Sequence, residues 1–184
     1  MLKTFPGTTV EVSKLEKGSS RQLFDGIFAT GGITLSQVCI ITGLEPYLIQ
    51  NWVKRKFVTS PQKRVYSREQ LARIIIINML REALKIEDIC LLIGIIGGDP
   101  NDRSDNLIFD DELYHNYVDM IAENNLNLDD SASVAAVVDK AAEAIEERIS
   151  GTRKKLSRIF QVMLYAHAAS RLRDSAEDIL SSLK

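Results

Sequence analysis

Residues 34–67 read TLSQVCIITGLEPYLIQNWVKRKFVTSPQKRVYS. The opening Thr34-Leu-Ser-Gln37 has the S/T-x-x-E/Q form of a capping box, in which the hydroxyl and the amide satisfy free backbone N–H groups at a helix start. A helix over 35–41 follows and stops at Thr42-Gly43. Pro46, suited to a first helical turn, opens a second helix running to about residue 55. Leu35, Val38 and Cys39 can meet Leu48, Ile49 and Trp52 around Leu44, so the two short helices and their glycine-containing turn read as a helix-turn-helix. With Ile49 and Trp52 turned inward, Tyr47, Gln50, Asn51 and Lys54 face out. Residues 57–66 place two short β-prone runs around a turn that contains Pro61, Lys63 and Arg64, which predicts a small hairpin, or wing. Ser67-Arg-Glu-Gln70 repeats the capping-box form. Behind it Leu71, Ile74, Ile75, Asn78 and Met79 continue a helical face, and a further helix over 86–93 ends at Gly94.

Charge directs attention to the same stretch. The 184-residue chain carries a net charge of −2. Between residues 47 and 73, however, Lys54, Arg55, Lys56, Lys63, Arg64, Arg68 and Arg73 face Glu69 alone. Residues 99–130 hold ten acids against Arg103. One part of the molecule therefore attracts anions and another repels them. A helix seated in a major groove reads base edges through exposed polar side chains, while cations on neighbouring elements neutralise phosphates. Gln50 and Asn51 can each pair bidentately with adenine. Lys63 and Arg64 at the wing, and Arg68 at the start of the next helix, suit phosphate contact. Duplex DNA is the expected partner. The competing readings are a protein-interaction adaptor on the same fold and a ligand-binding helical domain.

Outward from this centre, residues 1–31 read as an N-terminal arm, mobile over 1–18 and followed by a short helix at Leu23, Phe24, Ile27 and Phe28. Residues 32–93 form the helix-turn-helix unit, the Gly-, Pro- and Asp-rich 94–108 a linker, and 109–184 a helical domain. In the last helix Leu156, Ile159, Phe160, Met163, Leu164, Leu172, Ile179 and Leu183 are read as one apolar stripe, covered by the preceding helices or by a second subunit. A homodimer is expected, with room for a small-molecule effector. Cys39 and Cys90 read as reduced core thiols, and no apolar run is long enough for a membrane span, so a cytoplasmic protein is expected. The acids around Asp99 lack the glycine and glutamate of a calcium loop. His115 and His167 stand alone. No nucleophile, base and orienting group assemble, so neither an enzyme, a metal nor a cofactor is expected.

The run Leu35-Ser-Gln-Val38, Thr42-Gly-Leu44, Pro46-Tyr-Leu-Ile-Gln-Asn-Trp52, Arg64-Val-Tyr-Ser67, Leu71-Ala-Arg-Ile74 and Met79-Leu-Arg81 resembles the DNA-binding domain of the MerR superfamily. The resemblance implies a winged helix-turn-helix transcriptional regulator that binds a pseudo-palindromic promoter site as a dimer. It implies Gln50 and Lys54 facing DNA, with Lys63, Arg64 and Tyr66 at the wing. Lys56 stands where the family pattern has glycine after the recognition helix, and nothing downstream matches the cysteine sets of the metal sensors. The expected fold is all-α with a small β-hairpin wing, followed by a C-terminal helical domain.

Overall fold

A computed structural model describes residues 3–97, 106–124, 126–147 and 149–183. Eight helices and two small two-stranded sheets make up the described chain: β1 (Lys3–Thr4), β2 (Glu11–Val12), α1 (Ser19–Ile27), β3 (Ile33–Thr34), α2 (Leu35–Thr42), α3 (Pro46–Lys54), β4 (Val65–Tyr66), α4 (Arg68–Leu80), α5 (Ile86–Gly97), α6 (Asp110–Glu123), α7 (Ser131–Glu143) and α8 (Thr152–Ser182). The helix starts obey the local signals. Gln37 N donates to Thr34 Oγ1 and Thr34 N donates to Gln37 Oε1 at 2.8 Å, closing the capping box of α2. Ser67 and Gln70 do the same for α4. Gly43 ends α2 at φ 69, where a side chain would clash with its own carbonyl.

The centre of the molecule is α4. Leu71, Ala72, Ile74, Ile75, Ile76, Ile77, Met79 and Leu80 are all buried. A helix apolar all round must be enclosed all round, and α2, α5, α6 and α8 all pack on α4. Tyr114, Tyr117 and Val118 of α6 and Leu156, Phe160 and Met163 of α8 share one continuous apolar core with Ile49 and Trp52 of α3. The core therefore does not end at the linker expected over 94–108. Instead α5 runs past Gly94 to Gly97, Leu107 N donates to Ile96 O at 2.8 Å, and Leu107 and Ile108 are buried. The acids considered for calcium, Asp99, Asp102 and Asp105, lie outside the described residues.

Three further expectations need correction. The first 18 residues are not a loose arm over the described part. β1 and β2 pair antiparallel, Phe5 is buried, and Thr9 Oγ1 donates to Ile40 O at 2.6 Å. Asn78 Nδ2 donates to both Gly7 O and Thr42 O at 3.0 Å, and the Tyr114 hydroxyl donates to Pro6 O at 3.0 Å. At Gly7, φ is +71 and a Cβ would fall 2.4 Å from Ile75 O, so only glycine permits this approach. The second correction concerns the strand after the turn. It pairs with the residues preceding α2, Ile33 opposite Tyr66 and Thr34 opposite Val65, and residues 57–58 are not a strand. The third concerns the cysteines, which are half-buried beside the core instead of within it. Among the described residues no helix is long and apolar enough to cross a membrane.

Candidate nucleic-acid interface

The two faces of α3 divide cleanly. Ile49 is fully buried and Trp52 is 3% exposed. On the opposite side Tyr47, Gln50, Asn51 and Lys54, at i, i+3, i+4 and i+7, are exposed. The chain then folds back on itself. Trp52 O, at the end of α3, accepts from Phe57 N at 2.9 Å, and Val58 tucks into the core. The reversal needs Lys56 at φ 62. Glycine would be the unstrained residue at such an angle, since L side chains lose roughly 1 kcal/mol in the left-handed region.

Beyond Val58 the loop is braced by Gln70, whose Nε2 donates to Thr59 O at 2.9 Å and to Thr59 Oγ1 at 3.1 Å while its Oε1 caps α4. The loop closes in a tight turn: Val65 N donates to Gln62 O at 2.8 Å, and the two central residues, Lys63 and Arg64, sit at φ 49 and φ 65. Two consecutive positive φ angles belong to a type I′ turn, for which Asn-Gly is the favoured pair. Two long cations occupy it here, at a cost of about 1 kcal/mol of strain each. Both are exposed.

The seven cations between residues 47 and 73 separate by what surrounds them. The Arg55 guanidinium lies 2.9 Å from Glu87 and 4.4 Å over the Phe57 ring. Arg68 lies 2.6 Å from Asp25 and against the Phe28 ring, so the residue expected to touch phosphate is engaged in holding α1 to α4. Arg73 Nε donates to Asp110 at 2.8 Å, tying α4 to the start of α6, where burial raises the Asp110 carboxyl against the lowering pull of Arg73. Lys54, Lys56, Lys63 and Arg64 are exposed and have no ion pair or side-chain hydrogen bond among the described residues.

Tyr66 also departs from expectation. It is 4% exposed, its strand pairs with Ile33, and burial pushes its phenol upward, so it holds the turn from beneath and offers no surface. Of the eight expected contact residues, Tyr47, Gln50, Asn51 and Lys54 form one exposed face on α3. Lys63 and Arg64 form the turn tip, and Tyr66 and Arg68 belong to the supporting structure. Lys56 joins the free cations. Its unusual place after the second helix was the available signal.

Residues 35–117 match the model of a family described as a domain of unknown function, DUF1836. The match starts at the first residue of α2 and ends within α6. It thus includes α3, the turn and both partners of the Arg73–Asp110 pair. No curated protein and no solved structure matches the chain.

Proposed function

We propose that the chain is a DNA-binding transcriptional regulator of the cytoplasm, with α2 and α3 as a helix-turn-helix and the Gln62–Val65 turn on the β3–β4 pair as its wing. The observation that carries the reading is the turn tip. Lys63 and Arg64 stand in strained backbone where asparagine and glycine would relax the chain, and neither forms an ion pair or side-chain hydrogen bond among the described residues. Strain maintained by uncommitted cations is understandable if their charge is used on a partner. Phosphates are that partner, with Lys54 and Lys56 adding contacts and Gln50 and Asn51 reading bases. The order of elements and the MerR-like residue pattern support the same reading.

The double substitution Lys63→Asn/Arg64→Gly tests it, because it separates stability from binding. Relief of strain at the two positions should raise the folding stability by about 1–2 kcal/mol. Duplex affinity should fall for every sequence, with the slope of log K against log salt reduced by about two, one for each lost phosphate contact. Gln50→Ala or Asn51→Ala should instead preserve the slope and relax preference at one base pair, at roughly 1–3 kcal/mol. Duplex affinity unchanged at low salt in the turn variant would sink the proposal. The second reading, a protein-interaction adaptor, is favoured by Ile40 and Tyr47, which are 74% and 65% exposed. It requires that the intact chain show no salt-dependent duplex binding.

A further inference from the structure

The paired arginines of the basic stretch differ in what their carboxylates would lose without them. Asp110 is sealed beside Arg73, with 11% of its side chain exposed, and depends on that guanidinium to carry its charge. Glu87 does not depend on Arg55 in this way. It stands in the first turn of α5, at the positive end of that helix, with 63% of its side chain exposed. Its carboxyl is held below the usual carboxylate range first by its own backbone N–H and only then by Arg55, with Lys85 adding a smaller pull. Arg55 is the less supported of the two. One N–H of its guanidinium donates to Glu87 Oε1 at 2.9 Å, and the Phe57 ring lies 4.4 Å beneath it. No other hydrogen bond or ion pair holds this side chain among the described residues. Arg55 also ends the outer face of α3. It caps the helix and stands about 40° round the axis from Asn51, one turn further along. Its neighbours Lys54 and Lys56 are exposed and form no ion pair among the described residues.

We propose that Arg55 is a further phosphate-binding residue, occupied by Glu87 in the free chain and exchanged from that carboxylate to a backbone phosphate when duplex DNA is bound. The inference rests on the reading of α3 as the helix that enters the groove. Carboxylate and phosphate offer a guanidinium the same kind of paired oxygen acceptors, so Glu87 holds the place that a phosphate takes. A duplex seated on Tyr47, Gln50, Asn51 and Lys54 brings phosphates to the rim of that face, where the exposed Glu87 carboxylate repels them. Turning the guanidinium towards phosphate answers that repulsion. An exposed ion pair contributes little to stability, so breaking this one costs little. Glu87 keeps its own N–H, the start of α5 and Lys85 after the exchange, and the guanidinium can stay on the Phe57 ring while its fork changes acceptor. Arg73 has no such freedom, because its departure would strand a buried carboxylate. Glu87 thereby lowers affinity for all duplexes alike. Binding is then favoured where Gln50 and Asn51 also find matching bases, which turns a penalty on phosphate contact into sequence discrimination.

A double-mutant cycle on the intact chain tests the exchange, with affinity for a labelled duplex of mixed sequence measured across a salt series. Arg55→Ala should reduce the slope of log K against log salt by about one. Glu87→Gln should leave the slope as it is and raise affinity about fivefold, since the ion pair and the repulsion are removed together. In the Arg55→Ala background the same substitution should gain no more than about twofold, because only the screened repulsion is left to remove. Both side chains are open to solvent, so all three variants should keep the wild-type Tm. Equal gains from Glu87→Gln with and without Arg55, or a slope that Arg55→Ala does not change, would overturn the exchange and leave DNA binding in place. A wild type with no salt-dependent duplex affinity would overturn the reading of α3 and the exchange with it.

Discussion

The inner and outer sides of residues 46–73 use the same residue types to opposite ends. On the inner side Ile49, Trp52, Tyr66 and Leu71 are sealed, and around them Arg55, Arg68 and Arg73 each meet a carboxylate from another helix. On the outer side Lys54, Lys56, Lys63 and Arg64 meet none among the described residues, and three of these four sit in left-handed backbone. A guanidinium with a matched carboxylate positions helices. A cation without one contributes nothing to the fold and, at positive φ, detracts from it. Charge density alone does not separate the two groups; the partner that the fold brings to each charge does.

The strongest way to break this contrast is at Trp52. Trp52→Ala should cost roughly 3–5 kcal/mol, as large buried aromatic truncations do, whereas Gln50→Ala two residues earlier should leave the melting temperature unchanged. A Trp52→Ala melting curve that coincides with the wild type would erase the distinction between the faces.

Next come the paired cations. Asp110 is nearly sealed, so Arg73→Ala strands a buried carboxylate and should cost about 2–3 kcal/mol. Arg68 and Asp25 are open to solvent, and Arg68→Ala should cost no more than about 1 kcal/mol. Chemical denaturation of both variants checks the ordering, and equal losses would show that burial does not grade these pairs.

The two histidines sharpen the contrast between sealed and open ionisable groups. His115 lies within 2.9 Å of Ser20 Oγ and is packed edge-on against Phe24, and burial pushes it down to about 4, with Arg21 and Arg68 adding to the shift and Asp111 and Asp119 opposing it. His167, 2.8 Å from the Tyr117 hydroxyl, is lowered to about 4 by burial and by Arg171. Each is neutral in the folded chain and protonated near 6.5 when unfolded. Their contribution is therefore complete above pH 6.5 and is lost as pH falls from there towards 4. Roughly 2 kcal/mol should disappear for each between pH 7 and pH 5. Denaturant midpoints at the two pH values for wild type and His167→Gln measure it, and identical pH losses in the two proteins would refute the assignment for His167. A smaller effect is expected at Lys56, where Lys56→Gly should stabilise by about 1 kcal/mol by relieving the positive φ. A lower denaturation midpoint would show that the reversal is not strained.

Local chemistry was readable in the chain alone wherever the partners lie within a few residues of each other. Thr34 with Gln37, Ser67 with Gln70, Gly43 at a helix end and Pro46 at a helix start each act over a single turn. The inward set of Ile49 and Trp52 follows from helical spacing, which also leaves Tyr47, Gln50, Asn51 and Lys54 outside. Tertiary structure decided what depends on partners far along the chain. Arg68 is taken by Asp25 and Arg73 by Asp110, and Asn78 and Tyr114 hold down the first residues. Tyr66 is buried because its strand pairs with Ile33 instead of with residues 57–58. The apolar positions of α8, read as one stripe, fall on two opposite faces, Leu156, Ile159, Phe160, Met163 and Leu164 buried and Leu172, Ile179 and Leu183 exposed, and only the presence of the core on one side shows which of them is already covered. Backbone periodicity and capping are set by hydrogen bonds within one turn, whereas the commitment of a charge or an apolar face depends on which distant group the fold brings against it.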